Sequence, residues 1–182
     1  MTFASRNRPR KPPLEYQNRA AMQGDLTWRF PDNQFVTREE VPGPAICSRC
    51  HSYLETDHWR YDEHRYLQLK DRPDIHVMLC PGCSRIEKRL YEGEVIAHHD
   101  WSAVDKQEVL NLIHHEEARA RSTNPTARIA LMEDRGDDLY ILTTTQFLAE
   151  RIGKELHKAY RGTLKVMPLP REKFSRVRWT RE

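Results

Sequence analysis

Cys47-Ser48-Arg49-Cys50 and Cys80-Pro81-Gly82-Cys83 contain every cysteine of this chain. A C-x-x-C turn carries two thiolates on one side of a tight loop, and two such turns facing each other close a tetrahedral four-sulfur shell around Zn2+. In the second turn Pro81 presets the backbone. Gly82 is read as a residue that accepts positive φ and lets backbone N–H groups aim at sulfur. Zn2+ held by Cys47, Cys50, Cys80 and Cys83 is therefore the leading chemistry. A thioredoxin-like pair would leave the other two cysteines idle. The run Cys47 to His51 matches the c-type haem attachment pattern, but that chemistry follows export and leaves Cys80 and Cys83 unexplained. His51 is either a substitute ligand or a cap of its loop, and four cysteines make the substitution unnecessary.

No other group of residues makes a comparable case. His98-His99-Asp100 and His114-His115 offer further ligands or a base. Adjacent helical residues point about 100° apart, however, so His114 and His115 do not converge on one ion. The sequence holds no H-E-x-x-H, no Walker-type loop and no nucleophile elbow. The expectation is a non-enzymatic protein with structural zinc and no small-molecule substrate.

The net charge of +3 conceals a segregation. Residues 1–19 are net +4, through Arg6, Arg8, Arg10, Lys11 and Arg19 against Glu15, and residues 171–182 are net +3, with Arg176 and Arg178 among their cations. The interior is net −4. Basic ends on an acidic body suit contact with a polyanion, and Arg6, Arg8, Arg10, Lys11, Arg19, Arg176 and Arg178 are the candidate phosphate contacts. Such runs also serve solubility alone. No segment approaches the ~18 apolar residues of a membrane span, and Met1 to Pro13 has no apolar leader core, so a cytoplasmic protein with reduced thiols is expected.

The elements that position the cysteines follow from pattern. Residues 1–27 are basic and proline-containing and read as a disordered arm. Residues 28–92 form the zinc-ribbon module. Its aromatic residues Tyr53, Trp59, Tyr61 and Tyr66 either stack bases or, more simply, replace the core that a small module lacks. Ile75, Val77 and Leu79 alternate as a strand into the second turn.

Residues 93–170 read as a strand at Glu94–His98, then a helix opened by Ser102-x-x-Asp105 and closed by Asn124-Pro125. A hairpin follows around Arg135-Gly136-Asp137. A helix capped by Thr144 or Thr145 carries Leu148, Ile152, Leu156 and Tyr160, and a strand follows at Leu164 and Val166. The class is thus α+β: a four-cysteine zinc ribbon followed by a ferredoxin-like βαββαβ module, with two helices on one face of a four-stranded antiparallel sheet. The other face is left open for a partner, although it lacks the exposed aromatics of an RNA-recognition motif. Residues 171–182 read as a basic tail.

Three segments carry a resemblance: Leu79-Cys80-Pro81-Gly82-Cys83-Ser84-Arg85-Ile86, the run Leu142 to Gly153, and Arg176-Val177-Arg178-Trp179. Together they resemble a bacterial family of four-cysteine zinc-ribbon proteins, sometimes labelled ATPases. That family is itself similar to the N-terminal zinc region of the archaeal and eukaryotic nonsense-mediated-decay-type export adaptor of the large ribosomal subunit. The resemblance spans about residues 45–179 and implies a ribosome or rRNA contact. Only the four cysteines carry over residue by residue. An interaction adaptor that recruits a protein through the open sheet face is the alternative.

Overall fold

The structure is a computed structural model and describes residues 43–56, 58–101 and 106–181. The expected arm, with Arg6, Arg8, Arg10, Lys11 and Arg19, lies outside the described residues, as does the Ser102–Asp105 capping box.

The cysteine module is built from short elements. Strands β1 (Ala45–Cys47), β2 (Ser52–Glu55) and β3 (His58–Tyr61) form an antiparallel meander. Strand β4 (His76–Met78) adds in parallel to β1, giving the order β3-β2-β1-β4. Between β3 and β4, helix α1 (Glu63–Leu69) is capped by Asp62, whose carboxylate accepts from the Arg65 N–H at 3.0 Å. Ile46, Tyr53 and Leu69 are buried together, with Tyr66 and Ile75 against them. Trp59 and Leu79 pack on the cysteines. Aromatic residues therefore substitute for a conventional core. Helix α2 (Pro81–Glu87) begins at the second C-x-x-C, with Cys80 as its N-cap residue and Pro81 in the first turn.

The second module runs β5 (Gly93–His99), α3 (Lys106–Thr123), β6 (Ile129–Arg135), β7 (Asp138–Thr143), α4 (Gln146–Tyr160), β8 (Thr163–Leu169) and β9 (Phe174–Arg181). The expected βαββαβ succession is present as β5 to β8. Thr145 caps α4 by accepting from the Leu148 N–H. Val95 and Ala97 of β5, Leu139 and Ile141 of β7, and Val177 and Trp179 of β9 face the helices. They meet Val109 and Ile113 of α3 and Leu148, Ile152 and Leu156 of α4 in one core. Gly153 lets α4 lie close on β9, since a Cβ there would collide with a Val177 methyl.

The sheet differs from the expected four antiparallel strands. It has five, in the order β6-β7-β5-β9-β8, and β9 runs parallel to β5. Residues 171–182 are therefore not a basic tail over most of their length. Pro170–Glu172 form a 3-10 turn, Lys173 turns the backbone at φ 49°, and the chain returns as β9 between β5 and β8. The cause lies in the alternation Arg176-Val177-Arg178-Trp179, which puts Val177 and Trp179 into the core and the arginines on the opposite face. The Trp179 indole N–H also donates to the Arg161 carbonyl at 2.6 Å.

That opposite face is only partly an open surface, because Glu94, Tyr140, Leu142 and Phe174 on it are buried. The Tyr140 hydroxyl donates to Glu94 at 3.1 Å, and Arg135 lies over the Tyr140 ring. Arg176 is half-buried, with its Nε 3.9 Å from Glu94.

Two measurements check this packing. Trp179→Ala removes a fully buried indole and is expected to cost about 3–5 kcal/mol in urea unfolding, where a mobile tail would cost nothing measurable. Burial raises the Glu94 pKa above its usual 4.5, with Arg176 opposing, so the folded state binds this proton more readily than the unfolded chain. The ionised carboxylate therefore lowers stability once the pH exceeds about 4.5. Glu94→Gln keeps an acceptor for Tyr140 and is expected to raise the thermal midpoint at pH 7, with the gain vanishing as the pH falls below that value.

Candidate metal centre

Two local structures bring the sulfurs together. Cys47 ends β1 and Cys50 closes the turn into β2, after which His51 turns the backbone at φ 59°. Cys80 and Cys83 sit at the start of α2. The parallel pairing of β1 with β4 places Cys47 opposite Met78, so the second turn arrives beside the first. All four Sγ atoms lie within 4.8 Å of one another, with Cys50 and Cys80 at 3.5 Å. A Zn–S bond of about 2.3 Å in a tetrahedron requires S···S separations of roughly 3.8 Å, so the cluster has the right size. Cys47, Cys80 and Cys83 are fully buried and Cys50 is half-buried.

Each sulfur also has one hydrogen-bonding neighbour besides the other thiols. Cys47 accepts from the Cys80 N–H at 3.3 Å, and Cys80 accepts from the Cys83 N–H at 3.5 Å. The Ser52 hydroxyl lies 3.3 Å from the Cys50 sulfur, and the Arg128 guanidinium lies 3.8 Å from the Cys83 sulfur. Such donors stabilise thiolate over thiol.

The thiols divide their charge unevenly. Hydrogen bonds from Cys47, then Cys80 and Cys83, pull the Cys50 thiol far down. Cys80 and Cys83 are driven up, first by Cys47 and then by Cys50. Four adjacent sulfurs do not ionise together in the absence of a cation, and a bound divalent ion removes that obstacle. The donor set is all sulfur, which selects Zn2+ or another thiophilic ion over Mg2+ or Ca2+.

Gly82 is needed for a different reason from the one expected. It lies in α2 and is not among the residues with positive φ. A Cβ at this position would collide with the Pro125 carbonyl oxygen and come within 2.8 Å of the Arg128 Cγ, so glycine is required by the close approach of the second module.

The remaining candidates go elsewhere. His51 stacks on Tyr66 at 4.2 Å and its Nδ1 lies 3.0 Å from Glu63, so it braces the loop outside the sulfur cluster. His98 meets Asp138 at 2.8 Å, and His99 is buried against the Arg181 carbonyl and the edges of Trp101 and Trp179. His114 and His115 are exposed on α3. Arg178 is exposed on β9, whereas Arg176 is engaged by Glu94.

Sequence reasoning missed Ser52, Arg121 and Arg128, which surround the cysteines. Among the described residues no helix is long and apolar enough to cross a membrane. No family model, no curated protein and no solved structure matches this chain.

The purified chain is expected to carry one Zn2+, measured by elemental analysis. Cys83→Ser should abolish stoichiometric metal and open residues 45–87 to protease. Zinc-free wild-type protein with an equally resistant module would refute the site.

Proposed function

We propose that this chain is a non-enzymatic, zinc-scaffolded protein that binds the ribosome or ribosomal RNA in a reducing, cytoplasmic setting. The observation that carries the non-enzymatic part is the closed shell. Four sulfurs this close would fill the tetrahedron of a bound zinc and leave that ion no position for water or substrate, as in structural zinc sites. Thiols that stay reduced suit this role, and all four are free of disulfides.

The nucleic-acid part rests on charge. Arg6, Arg8, Arg10, Lys11 and Arg19 supply the arm. On the described residues, Lys165 and Arg178 are exposed cross-strand partners on β8 and β9. Like charges directly opposite one another repel, and a phosphate between them relieves the repulsion. Arg176 contributes less than its position in the sequence suggests, because Glu94 already holds it. The resemblance to the zinc region of the ribosomal export adaptor points the same way.

Phe147 favours a second reading. It is 71% exposed on the first turn of α4, beside a groove lined by Ala127, Leu148 and Arg151, and an apolar ring so placed suits a protein partner.

Co-sedimentation with ribosomal particles across a salt series separates the two. A phosphate-bound protein is expected to dissociate steeply with salt. Arm neutralisation and Lys165→Glu with Arg178→Glu should each flatten log K against log[salt] by about 0.7–0.9 for every phosphate no longer neutralised. Binding that ignores salt and these substitutions but fails on Phe147→Ala would establish the protein-partner reading. No association at any salt would sink the ribosome assignment.

A further inference from the structure

Two arginines of the second module reach into the cysteine cluster, one to each C-x-x-C turn. Arg121, in the last turn of α3, donates to the Cys50 carbonyl and, at 3.0 Å, to the Ser52 hydroxyl. Ser52 is in turn 3.3 Å from the Cys50 sulfur. The Arg121 guanidinium also lies 3.6 Å above the Tyr61 ring. Arg128, which immediately precedes β6, has its Nη1 3.8 Å from the Cys83 sulfur and its Nε 3.1 Å from Glu117. Glu117 also accepts the Ile129 backbone N–H at 2.9 Å, which fixes the residue after Arg128.

We propose that Arg121 and Arg128 belong to the metal centre, as positioning residues that hold its sulfurs and through it dock the two modules. The inference rests on the metal reading given above. A Zn2+ ion with four thiolates has a formal charge of −2, and burying it requires compensating donors. Two of the four sulfurs receive theirs from within the cysteine module, through the Cys80 and Cys83 backbone N–H groups. Cys50 has the Ser52 hydroxyl, which Arg121 holds from the second module, and Cys83 receives its donor directly from that module, through Arg128.

The dependence is reciprocal. The guanidiniums sit where they do because the thiolates and the Cys50 carbonyl are there, and the α2 backbone can approach Pro125 and Arg128 only because residue 82 lacks a side chain. A filled centre therefore locks the cysteine module onto the end of α3 and the start of β6. An empty one lacks the ion that ties the two C-x-x-C turns together, so the Cys50 carbonyl and the Cys83 sulfur that the arginines hold can separate, and the lock opens.

The test uses the full chain loaded with Zn2+ or Co2+. It follows metal release to a chromophoric chelator, the Co2+–thiolate charge-transfer band, and hydrogen exchange over residues 117–129. Arg128→Met and Arg121→Met are expected to keep one metal per chain yet release it roughly 10–100-fold faster, the scale set by residues that support metal ligands. Arg128→Met should also shift the Co2+ band, and Arg128→Lys should recover part of the loss, since it keeps the charge but not the paired donors. Gly82→Ala should raise exchange over residues 117–129 while all four cysteines remain. Removing metal from the wild type should raise exchange over the same residues. Variants that hold metal at the wild-type release rate with an unshifted band overturn this proposal and leave the metal reading intact. A wild-type chain that binds neither Zn2+ nor Co2+ overturns both.

Discussion

Four thiols held within 4.8 Å of one another set the terms for everything near them. Hydrogen bonds from Cys47, then Cys80 and Cys83, pull the Cys50 thiol down, while Cys47 and then Cys50 push Cys80 and Cys83 up, so the four do not ionise together. A divalent ion resolves the conflict, since it lets all four ionise at once. Such a centre would carry a formal charge of −2, and the geometry sets two backbone N–H groups, one hydroxyl and one guanidinium against the sulfurs.

This constraint accounts for features that otherwise look unrelated. Arg121 lies in the last turn of α3 and Arg128 precedes β6, so both flank the turn where Asn124-Pro125 reverses the chain. That turn is held by the sheet, because the Arg128 backbone N–H is bound to the Thr144 hydroxyl at 2.8 Å, and Thr144 lies between β7 and α4. The second module's core thus fixes the two guanidiniums, and they in turn fix the cysteine loops. Gly82 belongs to the same arrangement, since any side chain there would hold the modules apart.

The four-cysteine cluster was legible because cysteine spacing is a local signal, and the α+β class was legible because strand alternation and helical periodicity are local too. Leu148, Ile152 and Leu156 on α4 are all buried as their spacing implies. Three things were harder to see. The alternation of Arg176-Val177-Arg178-Trp179 was present in the sequence, but its arginines read as a tail, and only the pairing with β5 shows the strand. Helix α1 was hidden among the aromatics of residues 53–69, although Asp62 gave its cap. Arg121 and Arg128 lie 71 and 45 residues from their partners Cys50 and Cys83, and no periodicity encodes a contact across that distance.

The two modules are unequally provided for. The second buries fourteen residues in one cluster, whereas the cysteine module has Ile46, Tyr53 and Leu69 beside its sulfurs. The core formed by the described residues of this module is too small to offset its chain entropy, and metal coordination supplies the difference in such cases. The second module needs no metal for its own core, yet through Arg121 and Arg128 it grips both turns that carry the cysteines. Metal occupancy would therefore be coupled to more than the local fold. On the proposed metal reading, the larger module biases the smaller toward its metal-bound form, and by linkage the metal favours the docked arrangement of both.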